Sequence, residues 1–472
     1  MNEASKDLGI IKNADVLTAH GNIDGRKVLL KITNAGLKAA DPYPNTRKLL
    51  SLEDGKLIVG NNDSKDSGKT PVIFDLSKIK NIYVLGGGKA VQRMAKAIED
   101  VLGDRITEGH INAKEGDEKQ LKKIEISFGG HPLPDEKCAE GAKRILEIAK
   151  KVRKGDLVFY LSSGGATSLT ALPPPTISLE DLRKVYLLLY FDRGIPIWEL
   201  NVVRHHLSAA AGYQISKLIS QALRVNLTTT ELWPEETTKF MNLPYELANF
   251  QEAVRILKKY DVWDELPLSV RRFFEDKDPK YEVPKTRKPR KKESFSINVI
   301  DSETMLQAAA KKANELGIAP IILAQRVSAE AKDAAKTLAS IAREVEMRNR
   351  PFKPPCVLIS GGELVVTMGK ADQKAKGGRN QEFALASAIR IEGSSRITVS
   401  SVDSDGTDGP TEVAGGMADG YTMKRAKELN VDVFRALSEH NSYEALIRLE
   451  DSIITGRTGT NIQDLRLIYI SN

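Results

Sequence analysis

Short apolar runs alternate with stretches of helical spacing along most of the chain. Runs of strand length occur at residues 82–85 and 157–161, and others lie in "KPPCVLISGG" and "ITVSSVDSDG". Each run ends in a turn rich in glycine, serine or aspartate, while residues 21–40 and 179–190 have the period of a helix. Buried strands that alternate with helices predict an α/β fold with mainly parallel sheets, whose ligands gather at the carboxyl ends of the strands.

The stretch "KNIYVLGGGKAVQRMAKAIEDVL" places a strand, a glycine turn and a helix in succession. Gly86, Gly87 and Gly88 let the backbone approach a ligand closely, and Lys89 precedes a helix N-terminus, which favours an anion. The spacing matches neither the P-loop nor the dinucleotide fingerprint, in which Val91 would be glycine. We therefore expect either a turn that binds phosphate or carboxylate, or a plain tight turn with a surface lysine.

A second turn, in "LSSGGATSL", combines hydroxyls with glycines. Ser163, Gly164 and Gly165 do not match the Gly-x-Ser-x-Gly pattern of a serine nucleophile. Hydroxyls beside bare backbone N–H groups suit an oxyanion, and the alternative is that the serine caps a helix.

The segment "NVVRHHLS" contributes Arg204, whose guanidinium can bind a carboxylate through two parallel hydrogen bonds. A surface salt bridge is the alternative. The adjacent histidines point to different sides of a helix, so we do not expect a metal pair here.

In "KGGRNQEFALASAI", polar side chains follow two glycines at the start of a helix. Gly378, Arg379 and Asn380 are therefore candidates for contact with a ligand. Glu382 in the same stretch is alternatively a helix-capping residue.

The turn "VDSDGTDGPT" brings several aspartates together. Carboxylate oxygens suit Mg²⁺, which makes Asp405 and Asp408 candidate metal ligands, although the spacing is not that of an EF-hand. Ordinary turn chemistry is the alternative.

Composition excludes some classes of function. The 472 residues suggest two or three domains, and neither a signal peptide nor a membrane-spanning run is evident, so we expect a cytoplasmic protein. The net charge of +7 arises largely from the proline-punctuated run "KTRKPRKKE" at 285–293, which we interpret as a linker rather than a nucleic-acid arm. Cys138 and Cys356 are expected to be small buried hydrophobes.

The order of these motifs resembles the glycerate 2-kinase family, over residues 21–465. The blocks that carry the resemblance are "GGGKA", "GGHPLPDE", "LSSGGATSL", "NVVRHHLS", "SAEAKDAA", "SGGE", "KGGRNQE", "DGTDGPT" and "TGRTGTN". The resemblance implies a Rossmann-like N-terminal domain (DUF4147) at 1–275, a basic linker at 276–294 and a smaller C-terminal α/β domain that contains the MOFRL region at 295–472. It also implies an active site in the cleft between the domains.

The resemblance implies transfer of the γ-phosphoryl group of ATP to the 2-hydroxyl of D-glycerate, which gives 2-phosphoglycerate. The family's essential lysine and arginine match Lys89 and Arg379, which would neutralise charge on the transferring group. Arg204 or Ser163 would bind the glycerate carboxylate, and Asp405 or Asp408 would bind Mg²⁺ or orient the 2-hydroxyl. The partners expected are ATP and a hydroxy acid, with no nucleic acid or membrane, in a monomer or a homodimer.

One interval departs from the family pattern. Relatives carry roughly Ser-Asp-Val-x-Gly-Asp and Ala-Ser-Gly-Pro-Thr where this chain reads "LTTTELWPEETTKFMNLPYEL" within 227–247, and a lysine and glycine pair is reduced to Ala211 and Gly212. A changed substrate or lost activity is therefore open. The alternatives are an oxidoreductase of the hydroxypyruvate reductase type, disfavoured by the incomplete dinucleotide fingerprint, and a non-catalytic protein that binds a small anion.

Overall fold

A computed structural model describes residues 9–60, 71–116, 119–210, 213–229, 245–283, 294–368 and 375–472. The chain forms two compact units, one of Pro42–Val299 and the other of Met1–Asp41 together with Ile300–Asn472. The boundaries expected from the sequence, 1–275 and 295–472, differ from this division because the N-terminal segment packs with the C-terminal unit. Among the described residues, no helix has the length and apolar character needed to cross a bilayer.

The Pro42–Val299 unit is an α/β unit with two sheets. Its strands are β1 (Leu50–Glu53), β2 (Lys56–Val59), β3 (Val72–Asp75), β4 (Ile82–Gly87), β5 (Glu108–Lys114), β6 (Glu125–Gly129), β7 (Leu157–Ser162), β8 (Leu223–Thr229) and β9 (Ser294–Ile300). Strands β1 to β3 form an antiparallel sheet. The larger sheet has the order β6-β5-β4-β7-β8-β9, and its ladders from β6 to β8 are parallel. The α/β fold with a parallel sheet is thereby confirmed.

Helices cover this sheet and extend beyond it. The α-helices of the unit are Pro42–Lys48, Val91–Leu102, Glu136–Lys151, Ala166–Leu169, Leu179–Tyr186, Ile197–His206, Tyr213–Leu218, Phe250–Lys259 and Leu268–Asp276. Short 3₁₀ turns lie at Leu76–Lys78, Gly103–Arg105, Tyr245–Leu247 and Trp263–Glu265, and a π-helical turn at Leu187–Asp192 continues the Leu179–Tyr186 helix.

Strand β4 shows why this sheet forms. Every residue of β4 is buried. Ile82 and Val84 pack into a core with the helix Val91–Leu102, while Tyr83 and Leu85 pack into another with the helix Glu136–Lys151. A strand buried on both faces reads as a continuous apolar run, which is the pattern the sequence shows.

The other unit is built on a mixed sheet. Its strands are β10 (Ala319–Ala324), β11 (Cys356–Ser360), β12 (Ile397–Asp403), β13 (Gly415–Asp419), β14 (Ser452–Ile453) and β15 (Asp464–Ile470), in the order β10-β11-β15-β12-β13-β14. Its α-helices are Ala14–Leu17, Ile23–Ala39, Ser302–Glu315, Ala331–Arg348, Arg379–Arg390, Thr422–Glu428, Val433–Ser438 and Ser442–Arg448. Strand β15 runs antiparallel to both β11 and β12.

The helix Ile23–Ala39 explains why the N-terminal segment belongs to this unit. It packs against the helix Ser302–Glu315 and against β12 and β15. Its Arg26 is fully buried, and the guanidinium donates to Asp451 at 2.7 Å and to Asp419 at 2.5 Å. The helix is thus joined to its sheet by buried ion pairs as well as by apolar contact.

Candidate active site

The glycine turn after β4 lies against the turn after β7. Strands β4 and β7 are parallel neighbours, with Gly87 opposite Ser162, so their carboxyl ends meet at the same edge. Gly88 has φ +137°, and a Cβ there would lie 2.2 Å from the hydroxyl of Ser163. Only glycine allows this approach. The structure therefore brings the turns that contain Gly86, Gly87, Gly88, Ser163, Gly164 and Gly165 together.

Lys89 is fixed through its backbone at this junction. Its N–H donates to the carbonyl of Gly164 at 2.9 Å. A Cβ on Gly165, where φ is +85°, would lie 2.9 Å from Nε2 of His131 and 3.5 Å from Cγ of Lys89. His131, in the "GGHPLPDE" segment, thus joins the lysine and the second glycine turn. Sequence reasoning gave His131 no role, because a lone histidine in a loop carries no periodic signal.

Ser163 acts as a cap in this structure. Its buried hydroxyl accepts a hydrogen bond from the N–H of Ala90 at 2.9 Å, immediately before the helix Val91–Leu102. The capping alternative raised from the sequence describes this contact, although the partner helix is distant in sequence rather than the serine's own. The hydroxyl keeps a hydrogen atom that could still be donated.

Arg204 lies on the helix Ile197–His206, and its Nε donates to Asn201 at 3.1 Å. The guanidinium stacks 5.2 Å from the ring centre of Tyr186. No carboxylate within the described ranges forms an ion pair with Arg204, and burial lowers its pKa. The buried hydroxyl of Tyr186 has no hydrogen-bond partner among those same residues. The surface salt bridge considered from the sequence is therefore absent from the described part of the chain.

The neighbouring histidine has a structural role. Nδ1 of His206 lies 2.7 Å from the carbonyl of Val202, and Nε2 lies 3.5 Å from Glu282. The buried ring packs on Phe250 at 4.4 Å between centres. These contacts make His206 a member of the helical core.

In the unit that contains the mixed sheet, a cluster of carboxylates surrounds Arg379. Its Nε lies 3.0 Å from Oδ2 of Asp464, its Nη2 2.6 Å from Oδ2 of Asp403, and its Nη1 3.1 Å from Oε1 of Glu363. Burial alone would lower the pKa of Arg379, but the three carboxylates raise it well above its ordinary value. Arg379 is therefore a permanent cation whose whole guanidinium is engaged.

The sheet register assembles this cluster. Asp403 ends β12 opposite Asp464, which begins β15, and Ser360 at the end of β11 lies opposite Arg466. Arg466 is also buried, and its Nη1 donates to Asp464 at 2.9 Å. Sequence reasoning missed Asp464 and Arg466, because "IQDLRLIYI" resembles an ordinary strand start and nothing in it marks a charged partner.

Asp408 caps the helix Arg379–Arg390 from another loop. Its carboxylate accepts from the backbone N–H of Gln381 at 2.9 Å and of Asn380 at 3.1 Å, and from both side-chain amides. A Cβ on Gly378 would lie 2.3 Å from the Asp408 carboxyl carbon, which explains the glycine. Burial raises the pKa of Asp408, although these donors and Arg379 act in the opposite direction.

Asn380 is committed to the same network. Its side-chain amide donates to Asp408 at 3.2 Å and to Asp464 at 3.0 Å, and its carbonyl oxygen accepts from the hydroxyl of Ser401. It is completely buried. Within the described structure, Asn380 therefore links the capping aspartate to the arginine cluster.

Asp405 lies at the tip of the turn after β12. Its Oδ1 accepts from the N–H of Thr407 at 2.8 Å and from the hydroxyl of Thr407 at 2.7 Å. Gly406 has φ +86°, and a Cβ there would lie 2.0 Å from the carbonyl of Gly456, so the "DGTDGPT" and "TGRTGTN" loops touch. Turn chemistry, the alternative raised from the sequence, accounts for these contacts of Oδ1.

Glu382 does not cap its helix. Its buried carboxylate lies 2.8 Å from Nδ1 of His440, and its other oxygen has no hydrogen-bond partner in the described ranges. Burial raises the pKa of Glu382, opposed by His440. The pair joins the helix Arg379–Arg390 to the loop before the helix Ser442–Arg448.

The described residues contain no group of three or more histidine, cysteine, aspartate or glutamate side chains that could hold a metal ion. Mg²⁺ commonly binds through one or two protein carboxylates plus substrate phosphates, so a single aspartate suits it.

Cys138 and Cys356 are buried free cysteines, as expected from the sequence. The basic run at 285–293, Ala211 and Gly212, and residues 230–244 of the altered interval lie outside the described residues.

Comparison with known proteins identifies the family to which the chain belongs. Residues 28–275 match the family described as "Domain of unknown function (DUF4147)", and residues 356–464 match the MOFRL family. Glycerate 2-kinase of Pyrococcus horikoshii is 37% identical over 95% of this chain and 98% of its own length. D-Glycerate 2-kinase of Thermotoga maritima is 34% identical over 82% of this chain and 90% of its own length.

Two solved structures have the same fold as this chain. A crystal structure of a protein from P. horikoshii OT3 superposes with a TM-score of 0.72 at 35% identity, covering 95% of this chain and 98% of that one. The crystal structure of glycerate kinase from T. maritima gives 0.76 at 31% identity, with 94% and 99% covered. The fold and motifs thus define an α/β protein with a DUF4147 region and a MOFRL region. The chain belongs to the glycerate 2-kinase family.

Proposed function

We propose that this protein is a glycerate 2-kinase, which transfers the γ-phosphoryl group of ATP to the 2-hydroxyl of D-glycerate to give 2-phosphoglycerate. The observation that carries the proposal is the 37% identity to a glycerate 2-kinase over 95% of this chain and 98% of the relative. The similarity extends over nearly the full length of both chains.

Lys89 supplies a cation for the transferring phosphoryl group. It stands between the strand β4 and the helix Val91–Leu102, and its backbone bond to Gly164 fixes where the side chain begins. Phosphoryl transfer depends mainly on positioning and on neutralising charge on the phosphoryl oxygens. A lysine held at a helix N-terminus meets both needs, since the helix end also favours an anion.

Arg379 supplies a second cation. The carboxylates of Asp464 and Asp403 hold its Nε and Nη2 side, and both carboxylates are buried. A guanidinium fixed in this way needs no reorganisation when charge develops on a phosphoryl oxygen, which is the condition for strong electrostatic stabilisation.

Arg204 binds the glycerate carboxylate in preference to Ser163. The serine hydroxyl already accepts from the Ala90 N–H, whereas the guanidinium of Arg204 has only Asn201 and the Tyr186 ring as described partners. A desolvated guanidinium gains most from a carboxylate, because bidentate charged hydrogen bonds replace lost hydration.

Asp405 is the better candidate for Mg²⁺ among the two aspartates suggested by sequence. Each oxygen of Asp408 accepts at least two N–H donors, which leaves little capacity for a cation. Magnesium, when bound, would neutralise negative charge on the substrate phosphates. The protein's own part is to hold the carboxylate in the turn through Thr407.

A relative from Agrobacterium vitis, 30% identical over 95% of this chain, is named provisionally as a hydroxypyruvate reductase, which keeps an oxidoreductase as the second candidate. Val91, the first residue of the helix after the glycine turn, stands where a dinucleotide fingerprint has its third glycine. This difference disfavours the oxidoreductase.

The test is a parallel assay of both reactions on one preparation. In the presence of Mg²⁺, we expect ADP to form from ATP when D-glycerate is added. We expect no oxidation of NADH or NADPH when hydroxypyruvate is added. Oxidation of either cofactor without ADP formation would select the oxidoreductase. Binding of ATP without turnover of any hydroxy acid would select the non-catalytic alternative.

A further inference from the structure

The carboxylates around Arg379 differ in exposure. The side chains of Asp464 and Asp403 are 0% and 6% exposed, whereas that of Glu363 is 48% exposed. The buried pair contacts Nε and Nη2, and Glu363 contacts Nη1. The guanidinium thus has a fixed inner edge and an outer nitrogen whose partner reaches solvent.

We propose that Glu363 is a displaceable counter-ion which occupies the position that an oxygen of a substrate phosphate takes at Nη1 of Arg379. The proposal rests on the proposed function of Arg379 and assigns a further, specific role to Glu363. When a phosphate arrives, Glu363 turns into solvent and the anion takes its place, while Asp464 and Asp403 keep the arginine in position.

The energetics favour exchange at this partner. Removal of a carboxylate from a buried ion pair leaves an uncompensated charge and costs several kcal/mol, so Asp464 and Asp403 stay bound. The Arg379–Glu363 pair contributes less, because Glu363 is half-exposed, so that solvent screens the pair and hydrates the carboxylate when it leaves. Phosphate oxygens and carboxylate oxygens accept from guanidinium in the same way, so the two anions compete directly.

The backbone under Glu363 allows its side chain to move alone. Arg466 donates to the carbonyls of Gly361 and Gly362, which holds the turn after β11. Gly362 has φ +93°, and a Cβ there would lie 2.2 Å from the backbone nitrogen of Val327, so the turn is packed tightly. Rotation of the Glu363 side chain therefore needs no change in the turn.

The experiment measures binding of inorganic phosphate, and separately of ATP, to the full chain by calorimetry. We expect Glu363→Gln to bind phosphate about two- to fivefold more tightly, the range that loss of an exposed ion pair allows. Glu439→Gln is the matched control, because Glu439 is 49% exposed and also pairs with an arginine, Arg435. It should leave phosphate binding unchanged.

A second background shows whether the effect passes through Arg379. In Arg379→Lys, which keeps the positive charge but lacks Nη1, Glu363→Gln should no longer improve phosphate binding. Unchanged or weaker binding by the single variant, or the same improvement in the Arg379→Lys background, would overturn the proposal. If Glu363→Gln binds phosphate more tightly but the unmodified protein does not phosphorylate glycerate, the role of Glu363 is supported. Only the proposed kinase function is then wrong.

Discussion

Lys89 is a residue whose local structure the sequence predicted well. The strand, glycine turn and helix lie where the pattern placed them, and the lysine follows a glycine that only close packing explains. Its role as a phosphoryl-binding cation is testable. We expect Lys89→Met to lower kcat by about a thousandfold, the scale at which loss of such a cation acts, with little change in thermal stability.

The control for that variant is Lys78→Met, since Lys78 is 81% exposed and pairs with a nearby aspartate, Asp75. Its kcat should match the unmodified enzyme. Steady-state kinetics and thermal unfolding on both variants decide the matter, and a Lys89→Met enzyme with near-normal kcat would remove Lys89 from the chemistry.

Arg204 leads to a different kinetic prediction. Because its guanidinium has no described carboxylate partner, we expect it to bind the substrate carboxylate through charged hydrogen bonds. Arg204→Lys should raise KM for D-glycerate about 10- to 100-fold, the loss expected for charged hydrogen bonds, with KM for ATP unchanged. Arg255→Lys, at an exposed arginine paired with Glu252, is the control. Equal changes in both KM values would contradict the assignment.

The sequence alone did not show which charged side chains from distant strands contact each other. Asp464 and Arg379 are 85 positions apart, and their contact depends on the register of β15 against β12. Motifs rich in glycine and hydroxyl residues were visible because turns need those residue types, whereas a single aspartate at the start of a strand has no such signature.

At the scale of elements, the N-terminal helix Ile23–Ala39 illustrates the same limit. Its helical period was evident, but its attachment to the C-terminal unit depends on Arg26 and on Asp419 and Asp451, about 400 positions away. Amphipathic spacing shows that a helix buries one face, and it cannot show against which sheet.

The buried pair predicts how this attachment responds to acid. Burial opposes ionisation of Asp451, but the charges of Arg26 and Arg425 and a hydrogen bond with His20 hold its pKa below the ordinary value of 3.8. Because the folded pKa is depressed, the stabilisation is present at neutral pH and is lost as pH falls through the folded value, below 3.8. Asp451→Asn should lower the free energy of unfolding by about 3 kcal/mol at pH 7 and make it less sensitive to acid.

Chemical denaturation at pH 7 and at several lower values measures this effect. Asp15→Asn, at an exposed aspartate in the same N-terminal segment, should behave as the unmodified protein does. A variant at Asp451 with unchanged stability at pH 7 would show that the ion pairs do not anchor the helix.

At the scale of the whole molecule, the α/β class and the presence of more than one compact unit were predictable from alternating strands and helices. The compact units follow packing rather than linear order, because the chain leaves the C-terminal unit after Asp41 and returns to it at Ile300. Linear order suggests contiguous domains, whereas packing of the first helix decides the outcome.

The proposed reaction of the whole protein fixes the position of the phosphate on the product. The measurement is NMR of the product formed from D-glycerate, ATP and Mg²⁺, with phosphorus–proton coupling used to locate the ester. We predict coupling to the proton on carbon 2, as in 2-phosphoglycerate. Coupling to the carbon 3 protons, or no phosphorylated acid at all, would show that the protein is not a glycerate 2-kinase.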